Sequence, residues 1–186
     1  MPARMPRRLL MLLCLAVLAA GVAACGKADT KQGVDEPARE GLALPLDGID
    51  YNVFITRELN PRITPDKSYV PAGTAPDATH TLYGVFLQAC NRGKDSAQTA
   101  DSFKIVDNQG NEFEAQSLPQ SNDFSYQPQV LAPNECIPET GSVAQLGPTA
   151  GAMLLFRLPL ANTDYRPLEL EIEGPSGGHL TYMLDI

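Results

Sequence analysis

From Pro45 to the last residue, apolar and polar side chains alternate with a period of two, the signature of strands with one face in a core. Ile49, Tyr51, Val53 and Ile55 fall on one face and Asp50, Asn52, Thr56 and Glu58 on the other, with Phe54 as the exception. Tyr83, Val85, Leu87 and Ala89 alternate with Gly84, Phe86 and Gln88, which predicts a central strand that is apolar on both faces. Phe103 and Ile105, then Phe113 and Ala115, flank Asp107-Asn108-Gln109-Gly110-Asn111, the chemistry of a hairpin turn. Ala152, Leu154, Phe156 and Leu158 form another face. Leu168, Leu170 and Ile172 alternate cleanly with Glu169, Glu171 and Glu173, and Leu180, Tyr182, Leu184 and Ile186 close the chain. No helix is predicted after Pro45. Seven or eight short strands over roughly 140 residues predict an all-β, immunoglobulin-like antiparallel β-sandwich.

Two long connections, 60–78 and 119–141, interrupt this pattern, and each holds four prolines. Proline restricts the backbone, so both are expected to be ordered but irregular, and loops of this length often carry function. They contain Tyr69, Phe124 and Tyr126 among polar neighbours. Isolated aromatic side chains on loops are common binding anchors, so these three are the expected partner-binding residues.

Upstream of Pro45 the chain changes character. Arg4, Arg7 and Arg8 precede the apolar run Leu9–Val17, small residues follow, and residues 1–24 read as a secretory signal peptide. The apolar stretch from Leu9 to Ala24 is 16 residues, short for a spanning helix. It leads into Val22-Ala23-Ala24-Cys25, which resembles the lipobox of bacterial lipoproteins. Small residues there let a peptidase cleft admit the extended backbone. The resemblance implies that Cys25 carries a diacylglyceryl group and fatty acyl chains such as palmitate, and becomes the first residue of the mature protein. Residues 25–45 are charged, small and without period, which predicts a lipidated cysteine on a disordered tether. The sandwich is then expected over 46–186.

Composition narrows the classes. With 44% hydrophobic residues, 16 Pro and 15 Gly, the 186-residue chain is no disordered polymer, collagen-like repeat or multi-pass membrane protein. Three of its 14 basic side chains and none of its 22 acidic ones precede Cys25, so the remainder carries 11 against 22, a formal charge of −11. Nucleic acid is therefore excluded as a partner, because affinity for it rests on Lys and Arg neutralising phosphates. Cys14 leaves with the signal peptide. Cys90 and Cys136 remain, an even number in an oxidising compartment, and are expected to form a disulfide.

The segment Leu82–Ala89, the Asn91-Arg92-Gly93 turn, the hairpin Phe103–Phe113 and Leu146-Gly147-Pro148 leading to Leu154–Pro159 together resemble a known family. It is the immunoglobulin-like, telokin-like domain of unknown function on Gram-positive surface lipoproteins, related to a small secreted mycobacterial antigen. The resemblance spans residues 48–173 and implies a β-sandwich with an extracytoplasmic accessory role. It brings no catalytic residues. The chain departs from it in the order Gly147-Pro148, where the family has Pro-Gly, and in carrying Cys90 and Cys136.

Other motifs carry less. Gly174-Pro175-Ser176-Gly177-Gly178 matches the G-x-S-x-G pattern of serine hydrolases, but only eight residues follow Gly178, too few for the helix and acid partner that elbow needs. It reads as a turn between strands. His80, His179, Met153, Met183 and Cys90 are soft ligand types, yet they lack the clustered spacing of a copper site. Residues 107–112 hold oxygen ligands and a glycine, but the glycine falls too early for an EF-hand loop. Glu169, Glu171 and Glu173 read as a solvated strand face. The expected protein is thus a binding or accessory module on the extracytoplasmic face of the cell membrane, held there by lipid. It has an envelope protein or ligand as partner, and no catalytic residue, metal or cofactor. An envelope hydrolase with a loop-built site, or a copper or zinc carrier, are the alternatives.

Overall fold

The computed structural model describes residues 37–74 and 76–186. The expected signal peptide and Cys25 lie outside the described residues. The first strands are β1 (Ala38–Arg39), β2 (Ala43–Leu46), β3 (Ile49–Glu58), β4 (His80–Asn91), β5 (Ala97–Gln98) and β6 (Ser102–Val106). They are followed by β7 (Glu112–Glu114), β8 (Val130–Leu131), β9 (Cys136–Ile137), β10 (Ala152–Pro159), β11 (Glu169–Glu173) and β12 (His179–Met183). Two single-turn helices, α1 (Asp66–Tyr69) and α2 (Val143–Leu146), and a 3₁₀ helix at Leu160–Asp164 correct the expectation of no helix after Pro45. Each is too short to show a helical period, which is why the sequence pattern misses them.

Two sheets face each other. One runs β1-β12-β11-β6-β7 and the other β10-β4-β3-β2, with β9 beside the end of β4. The strand pairings within these two sheets are antiparallel except β1 with β12. Phe103, Ile105, Leu170, Ile172 and Tyr182 of the first sheet pack on Tyr51, Val53, Val85, Leu87, Leu154 and Phe156 of the second. The predicted all-β sandwich is the observed fold. Ile55 departs from its expected face. Phe54 is an inserted residue between the pairs Val53–Leu87 and Ile55–Phe86, so the side-chain parity flips there. Ile55 consequently turns outward, 41% exposed, and Thr56 turns in.

The β4–β10 part of the second sheet is buried on both faces. Leu82 and Phe86 of β4 and Met153 and Leu155 of β10 point away from the main core into a second apolar cluster. Leu59, Tyr69, Val70, Phe124 and Ala144 complete that cluster, so the two proline-rich connections form a third layer over the outer face of the sheet. Tyr69 packs edge-on against Phe86 and Phe124, with ring centroids 5.0 and 4.7 Å apart.

The chain crosses from sheet to sheet at both flanks. On one side it leaves β1, follows Glu40 to Leu42, and enters β2; the Tyr182 hydroxyl donates to the carbonyls of Leu42 (3.0 Å) and Tyr51 (2.7 Å) across the gap. On the other side Ala115 N–H donates to Phe103 of the first sheet (3.0 Å), and Gln116 N–H to Leu155 of the second (2.7 Å). Residues 124–126 then bond both backbone groups of Met153 on the edge of β10. The first crossing corrects the expected boundary at residue 45. Residues 38–39 and 43–46 are strands, and Ala38 is buried, so the tether does not extend to Pro45. Strands of two and four residues punctuated by Gly41 and Pro45 are too short to show alternation.

Cys90 and Cys136 form a disulfide across directly paired positions of β4 and β9, with Cα atoms 4.1 Å apart. Beside it Asn91 is fully buried and fully satisfied. Its Nδ2 donates to Asp95 (2.8 Å) and Leu131 (2.9 Å) carbonyls, and its Oδ1 accepts from Gly93 N–H (2.8 Å). The Asn91-Arg92-Gly93 turn is thus held from inside by its own first residue.

Candidate functional site

The expected partner-binding residues are not surface anchors. Tyr69 has no exposure, and Phe124 and Tyr126 have 9% and 6%. Tyr69 and Phe124 form the lid cluster on the outer face of the second sheet. Tyr126 enters the main core on Phe103, and its hydroxyl donates to the Ala100 carbonyl at 3.0 Å. Burial pushes its phenol up from the ordinary tyrosine range, so it stays neutral. The residues read as anchors for a partner are anchors for their own loops. The signal was available in the sequence: β4 and β10 are apolar on both faces, so something apolar from outside the sheets had to cover them.

The other candidates also take structural places. The segment from Gly174 to Gly178 is the turn between β11 and β12, closed by Gly174 N–H to Gly178 carbonyl at 2.8 Å. Asp47 accepts from Ser176 N–H at 2.9 Å, and a side chain at Gly174 would meet Leu46 Cγ at 2.9 Å, so close packing explains that glycine. Cys90 is in the disulfide and Met153 is buried in the second cluster. Among the described residues no three of His, Cys, Asp and Glu gather in a metal-binding group. The loop at 107–111 is the β6–β7 hairpin turn, with Asp107 accepting from Gln109 and Asn111 N–H at 2.9 Å each.

The outer face of the first sheet is charged. Lys104 lies between Glu112 and Glu171 at 2.8 and 3.1 Å, and these hydrogen bonds raise its pKa above the ordinary lysine range. Glu169 and Glu173 continue the row on β11, with His179 opposite Glu173. Screening by solvent leaves such exposed pairs worth little.

A broad concavity lies where β3 ends and the first long connection begins. It is an open groove of about 790 Å³ lined by Arg57, Glu58, Arg62, Asp66 and Asp77 among others. Asp66, 2% exposed, organises it: one oxygen accepts from the Arg57 guanidinium at 2.5 Å and the other from Asn60 N–H at 2.9 Å. Asp77 closes the far rim. It accepts from Thr79 N–H at 2.8 Å, faces His80 at 3.0 Å and pairs with Arg157 of β10. The Thr79 backbone and side-chain hydrogen bonds, with that from His80, hold its carboxyl well below the usual carboxylate range. Sequence reasoning placed a site in this connection but chose its aromatic residue. A buried Asp66 pairing with Arg57 has no signal in local pattern.

No family model and no curated protein matches the chain. Solved structures do. An uncharacterized β-sandwich protein of Clostridium difficile 630 is 13% identical, with 81% of this chain and 97% of that one covered and a TM-score of 0.47. A protein of Bacillus subtilis described as a "putative lipoprotein", ycdA, is 11% identical at a TM-score of 0.50, with 78% of this chain but only 38% of that one covered. The yjhA protein of Bacillus subtilis is 11% identical over 80% of this chain and 99% of that one, at a TM-score of 0.49. At these identities the likeness concerns the fold alone. The chain is a β-sandwich protein. Among its described residues no helix is long and apolar enough to cross a membrane.

Proposed function

We propose that the chain is a lipid-anchored, extracytoplasmic protein whose β-sandwich serves as a binding or accessory module at the cell envelope, acting without catalysis. The carrying observation is Val22-Ala23-Ala24-Cys25 directly behind a basic start and an apolar run of signal-peptide length. The resemblance to the telokin-like domains of surface lipoproteins, and the ycdA fold likeness, support the same reading. A disulfide between Cys90 and Cys136 suits an oxidising compartment. Two or more acyl chains, at about 0.8 kcal/mol per buried CH₂, anchor a protein stably.

The test is fractionation of cells expressing the full chain and its Cys25→Ser variant. The wild type is expected in membranes, with a diacylglyceryl-modified N-terminal peptide by mass spectrometry. The variant is expected to lose that modification and the lipid-dependent attachment. An unmodified Cys25 in membrane-bound wild type would refute the anchor.

A further inference from the structure

We infer that the groove at the end of β3 binds an oxyanion, a phosphate or carboxylate group, through Arg57, Arg62 and the adjoining Lys67. The inference rests on the reading of this chain as a binding module and gives that module a ligand chemistry. The argument is an inventory of donors and acceptors. Two acids of the groove are neutralised by cations, Asp66 by Arg57 and Asp77 by Arg157, while Glu58 accepts from the Thr81 hydroxyl at 2.6 Å and keeps its charge. The cations outnumber these pairs. Arg57 spends one guanidinium donor on Asp66, and its remaining donors have no partner among the described residues. Arg62 and Lys67 form no ion pair among the described residues.

Two unpaired cations beside two internal ion pairs fit a ligand rich in acceptors. Arg62 lines both this groove and a neighbouring depression that Lys67 also lines. A guanidinium presents a planar fork matched to carboxylate and phosphate oxygens. Asp66 is buried and holds Arg57 in one orientation, so part of the entropic cost of ordering a donor is met before the ligand arrives. The unpaired cations stand out in a chain with a formal charge of −8.

The test is calorimetric titration of the full chain, held in neutral detergent, with inorganic phosphate and separately with citrate. Saturable binding of either anion that weakens with added NaCl is expected, and the preference between the two assigns the ligand as a phosphate or a carboxylate. Arg62→Gln and Lys67→Gln, both exposed and remote from the cores, should each weaken it about tenfold, the worth of one charge-assisted hydrogen bond. Arg92→Gln, in the turn after β4, should leave it unchanged. No binding of either anion, or an equal loss in Arg92→Gln, overturns the inference. Either result leaves the membrane fractionation, and hence the anchor, untouched.

Discussion

Asp107 offers the sharpest energetic prediction. It sits at the start of the β6–β7 turn, 4% exposed, and its carboxylate accepts four hydrogen bonds. Two come from the backbone of Gln109 and Asn111, one from the Asn111 side chain at 2.8 Å, and one from Asn162 of the 3₁₀ helix at 2.9 Å. Burial works against its ionised form, but these four donors outweigh that and hold its pKa at about 2. The folded value lies below the unfolded one, so the ionised carboxylate stabilises the fold above the unfolded pKa and ceases to as pH falls through the folded one. The linkage amounts to about 2 kcal/mol at neutral pH, with about half of it left at pH 3 and little at pH 2. Replacement by Asn removes the charge and points an amide at N–H donors. Asp107→Asn should therefore unfold about 2 kcal/mol earlier in urea at pH 7, or about 4–8 °C lower on heating. The difference from wild type should shrink as pH falls from about 4 to 2. A loss below about 0.5 kcal/mol at pH 7, or a gap that does not change with pH, would show that the turn stands without this carboxylate.

Two further experiments probe the third layer and the staple. Phe124→Ala should cost about 3 kcal/mol in urea denaturation, since it opens a cavity against Tyr69 and Met153. Tyr69→Phe should be neutral or slightly stabilising, because its buried hydroxyl has no partner among the described residues; a loss near that of Phe124→Ala would reveal a hydrogen bond at that site. Reducing Cys90–Cys136, which closes a loop of sequence separation 46, should lower stability by up to about 4 kcal/mol. The loss should be largest in the double Cys90→Ala, Cys136→Ala variant that also carries Asn91→Ala, because Asn91 holds the same segment.

Much of the fold is legible in the residues because strand periodicity is a local signal. The two-faced β4, the glutamate-alternating β11 and the Asp107 turn all stand where the pattern puts them. What the pattern misses is non-local. Ile55 is misassigned because one inserted residue, Phe54, reverses every later parity in β3. Tyr69, Phe124 and Tyr126 look exposed because their sequence neighbours are polar, whereas their burial is decided by strands far away in the chain. Arg57 and Asp66 are nine residues apart, yet their pairing depends on how the first long connection folds back over the sheet.

The paired flank crossings bear on how such a protein behaves when many copies are crowded together. An open sandwich presents rows of unpaired amides and carbonyls that can template a neighbouring chain. Here residues 38–46 span one opening and residues 115–126 the other, so both flanks are occupied by the chain itself. Beyond the crossings, the short edge strand β7 carries Glu112 and Glu114, and the end of β3 carries Arg57 and Glu58. Copies held at high density should therefore remain separate molecules, with strand-to-strand growth blocked by geometry and by charge.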